Sequence, residues 1–180
     1  MKKTTLITIL LILSILFSSC EHMFGYEKYT NINDYSKIFE LTEIRYDEDA
    51  MVMFPLDVEG LNVQNFYFEW GLDFVGSADV ELLLSVKYDN AQLQKEIERL
   101  RSLADGKIVH DTQTFAFEAY VLILGYNSTN YYALVDGNTV HYVMLQIVAL
   151  DNINIDKNLL PKGYEKLGDV KGFSFNVFED

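Results

Sequence analysis

The chain has 180 residues, of which 49% are hydrophobic, with 12 phenylalanines, 12 tyrosines and a formal charge of −13 at pH 7. That aromatic content excludes a disordered chain, and the acidic excess excludes nucleic acid as a partner, because phosphates would be repelled rather than neutralised. One cysteine leaves no intramolecular disulfide and no Cys-based metal cluster.

Residues 1–19 read as a signal peptide. Lys2 and Lys3 give a positive start, and Leu6 to Phe17 form an apolar run of 12 residues. Such a run is shorter than the ~17–25 residues of a membrane span but fits a signal core of about 7–15. The segment Leu16-Phe17-Ser18-Ser19-Cys20 resembles the lipobox of bacterial lipoproteins, with Phe17 standing where an aliphatic residue is usual. The resemblance implies cleavage before Cys20, diacylglycerol on its sulfur and often an acyl chain on the new amino group. Cleavage after Ser18 or Ser19, as in an ordinary secretory signal, would instead leave a lone thiol prone to oxidation. Lipid explains both the solitary cysteine and its position. Two or more long chains, at ~0.8 kcal/mol per buried CH₂, anchor stably where one does not. Removing residues 1–19 with their two lysines takes the formal charge from −13 to −15 over 161 residues. The expected layout is signal peptide at 1–19, lipidated Cys20 and a short tether at 20–32, and one domain at 33–180.

Asn33 and Asp34 suit a helix start, with Asn33 as N-cap and Tyr35, Ile38, Phe39 and Ile44 close to one face. Asp47-Glu48-Asp49 is a solvated acidic loop, and Met51 to Pro55 a short strand. Phe66, Phe68, Trp70, Leu72 and Phe74 then alternate with more polar residues, and Val80, Leu82, Leu84 and Val86 do the same beyond Gly76-Ser77. Two period-two runs around a turn predict a β-hairpin with one buried face.

Asp89 to Leu103 carries the strongest helix signal. Asp89 and Gln92 have capping-box spacing, Leu93, Ile97, Leu100 and Ala104 fall on one face, and Glu96–Arg99 and Glu98–Arg101 are i,i+3 pairs. Asp105-Gly106 supplies the stop. From Thr114, one strand face holds Phe115, Phe117, Ala119, Val121 and Ile123, and the other is apolar too, which predicts an interior strand. Tyr131 to Val148 reads as a hairpin turning at Asp136-Gly137-Asn138. Residues 151–168 look irregular, with a turn at Pro161, and Phe173, Phe175 and Val177 suggest a last strand. The fold class expected is α+β: mainly an antiparallel sheet of about six to seven strands with one or two helices packed on one face. Too few helices lie between strands for a doubly wound parallel sheet.

No catalytic, cofactor-binding or metal-binding set emerges. His22, His110 and His141 have no metal-ligand spacing, and His141 reads as a strand-face residue. Asn152, Asn154 and Asp156 resemble the opening of a calcium loop, but Lys157 and Gly163 stand where glycine and glutamate are required. Tyr126, Asn127, Asn130, Tyr131 and Tyr132 form a candidate recognition surface, since tyrosine beside small polar residues suits binding. The alternative is that these tyrosines close the hairpin and shield its edge. The expectation is a membrane-anchored envelope lipoprotein, its soluble domain outside the cytoplasm, that binds an envelope protein or a small ligand without catalysis. An envelope hydrolase using paired carboxylates, and a structural subunit of an envelope complex, are the alternatives.

Overall fold

The computed structural model describes residues 25–41, 51–72, 78–103, 108–122, 129–146 and 153–162. Strands β1 (Tyr26–Tyr29), β2 (Asn62–Leu72) and β3 (Ala78–Lys87) form one meander. Strands β4 (Ile108–Asp111), β5 (Glu118–Leu122), β6 (Asn130–Asp136) and β7 (Thr139–Gln146) form a second. They join side by side as one seven-stranded antiparallel sheet in the order β1-β2-β3-β7-β6-β5-β4. Helix α1 (Asn90–Ser102) carries the chain from β3 in the middle toward β4 at the far edge. With a 3₁₀ helix over Ile32–Glu40, this is the expected α+β architecture; these two helices pack on one face, and a three-residue 3₁₀ turn, Lys157–Leu159, lies on the other.

Local chemistry explains α1. The Asp89 carboxylate accepts from Gln92 N at 2.8 Å while Asp89 N donates to Gln92 Oε1 at 3.0 Å, so two otherwise orphaned donors are satisfied. Leu93, Ile97 and Leu100 then reach the first core, which also takes Phe66, Phe68 and Trp70 from β2 and Leu82 and Leu84 from β3. Arg99 pairs with Glu96 as the spacing predicts, whereas Arg101 lies 3.9 Å from Glu118 on β5.

Several expectations are corrected. The 3₁₀ helix is capped by Asn31, whose side chain accepts from Asn33 N at 3.1 Å, because Asn31 keeps the extended backbone that a cap needs. Met51 to Pro55 is not a strand. Phe54 N turns back to Met51 O, and Arg99 donates to the carbonyls of Val52 and Met53, which a strand would have given to a neighbour. Residues 26–29, expected within a tether, instead form β1. They pair with Phe68 to Gly71 of β2, where Tyr29 stacks on Phe68 with ring centroids 5.7 Å apart. Gly25 precedes them at φ +83°, against the Trp70 ring, where a Cβ would come within 2.6 Å.

The strand expected from Thr114 begins only at Glu118, although Phe115 and Phe117 still pack on the same side as Ala119 and Val121. Strand β4 had no sequence signal. The apolar β5 does lie inside the sheet, between β4 and β6. The β6–β7 hairpin turns at Gly137, φ +57°, as its Asp-Gly pair predicts. Strand β3 departs from the one-face expectation, because Glu81, Leu83 and Ser85 are buried as well as Val80, Leu82, Leu84 and Val86. Phe74, Gly76-Ser77, Ala104, Asp105-Gly106, Ile123, the acidic loop and the last strand lie outside the described residues.

The burial and the cap set two stabilities against each other. Asp89→Ala is expected to cost about 1 kcal/mol. Leu84→Ala, at a site with no exposure, is expected to cost about 2–5 kcal/mol. Urea unfolding of both variants checks the order.

Candidate functional site: a polar cleft on the second face

Alternation sends the other half of each strand to the face opposite α1. Tyr67 and Glu69 of β2, Glu81, Leu83 and Ser85 of β3, and His141, Val143 and Leu145 of β7 share it. A second, smaller core forms there around Leu83, Tyr132, Val143 and Leu145, closed by Phe115 and by Ile155, Leu159 and Leu160. The covering segment 153–162 has little secondary structure, so its polar backbone groups need partners from the sheet and its loops. Asn154 N donates to Glu81 Oε2 at 2.9 Å, Tyr132 Oη donates to Leu159 O at 3.0 Å, and Lys162 N donates to Thr114 O at 2.8 Å.

The segment does not close the whole face. Between it and the sheet lies an open cleft of about 570 Å³. Its floor is Leu83, Ser85 and His141, its aromatic sides are Tyr67 and Phe117, and Asn65, Asp136, Asp156 and Asn158 stand at its mouth, all four exposed. Gln64 joins them where the β2 register slips between Val63 and Asn65, a bulge that re-aims the strand end. The volume is of small-ligand size.

Ser85 and His141 are direct cross-strand partners, with Ser85 Oγ 2.8 Å from His141 Nδ1. Burial pushes the His141 imidazole below its ordinary pKa, against the opposing fields of Asp136 and Asp156. The shift favours the neutral ring at pH 7. Ser85 itself is only 3% exposed and sits mid-ladder between β2 and β7, so the surrounding amides serve the sheet rather than an oxyanion. The pair is suited to holding a ligand hydroxyl or fixing the imidazole, not to nucleophilic attack.

Beside the cleft, Glu69 and Glu81 are also cross-strand partners. Asn154 Nδ2 lies 3.4 Å from one oxygen of each. Tyr26 Oη and Lys28 Nζ donate to Glu69 at 2.9 Å each, and Tyr67 Oη donates to it as well. Burial works to raise the Glu69 carboxyl, but the hydrogen bonds from Tyr67, Lys28 and Tyr26 outweigh it and hold the group below its usual range. Glu81 shifts the other way. Burial raises it, with the neighbouring Glu69 charge adding to the effect and the Asn154 hydrogen bonds only partly opposing it. Neither carboxylate is among the cleft's lining residues.

The expected recognition surface is corrected for its described members. Asn130, Tyr131 and Tyr132 are 6%, 0% and 1% exposed, because β6 lies between β5 and β7 and both its faces are covered. Tyr131 enters the helix-side core and Tyr132 the second core. Tyr126, Asn127, Cys20 and His22 lie outside the described residues. His110 is on edge strand β4, with Nε2 2.8 Å from Glu118 Oε1 and its ring stacked on Tyr120. His141 does lie on a strand face. Its partner Ser85 and the Glu69–Glu81 pair required the strand register, although polar residues within the apolar β3 run were a visible signal. Among the described residues no group of three or more His, Cys, Asp or Glu could hold a metal ion.

The Glu81 shift makes stability depend on pH. A carboxyl whose folded pKa is raised adds stability that is complete below its unfolded pKa and lost as pH rises through the folded one. From about pH 4 toward pH 7, the protein is expected to lose stability relative to Glu81→Gln, which carries no such proton. Paired urea titrations at each pH measure the difference, and parallel curves would remove Glu81 as the source. No family model matches the chain, and neither the curated proteins nor the solved structures contain a match.

Proposed function

We propose that this chain is a bacterial envelope lipoprotein, anchored through lipid on Cys20, whose sheet domain holds a small polar ligand in the cleft on its second face and does not transform it. The observation that carries the binding half is the cleft itself: about 570 Å³, open to solvent, with apolar and aromatic walls and polar groups converging from β2, β3, β7 and the segment 153–162. Supporting the anchor is the lipobox-like Leu16 to Cys20 and the absence of any other cysteine. Among the described residues no helix is long and apolar enough to cross a membrane. The acidic body favours a domain that stands off an anionic bilayer.

A second reading, a hydrolase using paired carboxylates, is favoured by one observation. Glu69 and Glu81 face each other with opposite pKa shifts, the pattern that separates a base from an acid. Against it, both carboxylates are tied into Tyr26, Lys28, Tyr67 and Asn154, beside rather than within the cleft. Structure-holding accounts for them more simply.

Two measurements test the proposal. Full-length protein is expected to partition with membranes, and Cys20→Ser to leave them; an unchanged distribution would reject the anchor. In thermal-shift screening against envelope metabolites and glycans, compounds that stabilise the native protein should lose their effect on Asn65→Trp, which fills the mouth of the cleft. Hits that act equally on both would place binding elsewhere. Turnover of a hit by the native protein, abolished in Glu81→Gln, would replace the binding reading with the hydrolytic one.

A further inference from the structure

We propose that the cleft takes an uncharged carbohydrate, an inference that rests on the binding reading above and names its ligand class. Among the described residues the lining contains no lysine or arginine, and Asp136 and Asp156 stand at the mouth, so a carboxylated or phosphorylated ligand would meet repulsion from the lining. Those aspartates alone would also welcome an amine. Tyr67 argues against one. Lys28 Nζ already donates to Tyr67 Oη at 3.2 Å and to Glu69 at 2.9 Å, so an ammonium stands at the hydroxyl end of this aromatic wall. A second cation beside it would be repelled by the first.

What remains matches sugar hydroxyls. Each hydroxyl both donates and accepts, and side-chain amides do the same. Asn65 and Asn158 present amides from opposite sides of the mouth, one from β2 and one from the covering segment. The neutral His141, held by Ser85, supplies a further polar group on the floor, and carboxylates accept from vicinal hydroxyls without needing a positive ligand. The half-buried Tyr67 and Phe117 rings give apolar surface against which the C–H face of a pyranose can lie. A cleft open to solvent also admits a sugar chain that an enclosed cavity would not.

The test is calorimetric titration of full-length protein in detergent micelles with four neutral probes: cellotetraose, xylotetraose, maltotetraose and N-acetylated chitotetraose. Spermidine and tetragalacturonate are the cationic and anionic controls. At least one neutral tetrasaccharide should bind with Kd at or below about 1 mM, and both controls should be silent. The Asn65→Ala/Asn158→Ala double variant, changed only at exposed positions, should melt like the native protein yet bind roughly fivefold or more weakly, the order expected on losing two ordinary hydrogen bonds. Binding of spermidine or tetragalacturonate in place of the neutral sugars, lost in the double variant, would overturn the ligand class and leave the cleft as the site. Silence from all six probes would overturn the ligand class, and a sugar bound equally well by the double variant would overturn the cleft as its site.

Discussion

The ladder between β3 and β7 is the constraint on which the rest of this molecule depends. Val80 to Lys87 pair with Thr139 to Gln146 in unbroken antiparallel register, and among the described residues this is the one strand pairing that joins the two meanders. Because side chains alternate, fixing the seam fixes both faces at once. Leu82 and Leu84 go beneath α1, while Glu81, Leu83 and Ser85 go to the cleft side, opposite Leu145, Val143 and His141. A slip of one residue would exchange the two sets and drive Glu81 and Ser85 into the helix-side core. The same pairing that buries the apolar residues therefore assembles the polar floor of the cleft.

The buried polar residues of the second face are held by partners that arrive from distant parts of the sequence. Glu81 is satisfied by the backbone of Asn154, and Tyr132 by the carbonyl of Leu159, so the covering segment is docked by hydrogen bonds as well as by Ile155 and Leu159. On the opposite face Arg99 does the corresponding work, clamping the carbonyls of Val52 and Met53 while Tyr142 donates to Glu96 at 2.6 Å. Among the described residues, each face of the sheet thus has an irregular segment fastened by an acidic or basic side chain. Irregular chain can be buried only when its backbone groups are met in this way.

Where the residues interact locally, the sequence was legible. The Asp89–Gln92 capping box, the Leu93-Ile97-Leu100 face, the alternation of Phe66, Phe68 and Trp70 and the turn at Gly137 all follow from neighbours within a few positions. Where structure depends on distant pairing, it was not. Tyr26 to Tyr29 form a strand only because the long β2 offers them an edge, and Ile108 to Asp111 only because β5 does. Tyr131 and Tyr132 suggested a surface through their polar neighbours, yet their strand lies between two others with both faces covered. The cleft was least legible of all. It exists through the register that opposes Ser85 to His141 and through a covering segment whose composition announces only a loop.

The distance along the chain between the two halves of the central seam also governs how the molecule is made. Synthesis delivers β1 to β3 first, and β3 then presents a bare apolar edge, since its partner β7 begins only at Thr139. Helix α1, supported by its own cap, can form in the interval, but it covers a face and leaves that edge unpaired. The ladder that contributes most to the cores is also the one whose loop takes longest to close. Until it closes, β3 is a template for any other strand, including that of a second copy. A chain of this design folds late and benefits from being kept apart from its copies until its final hairpin is complete.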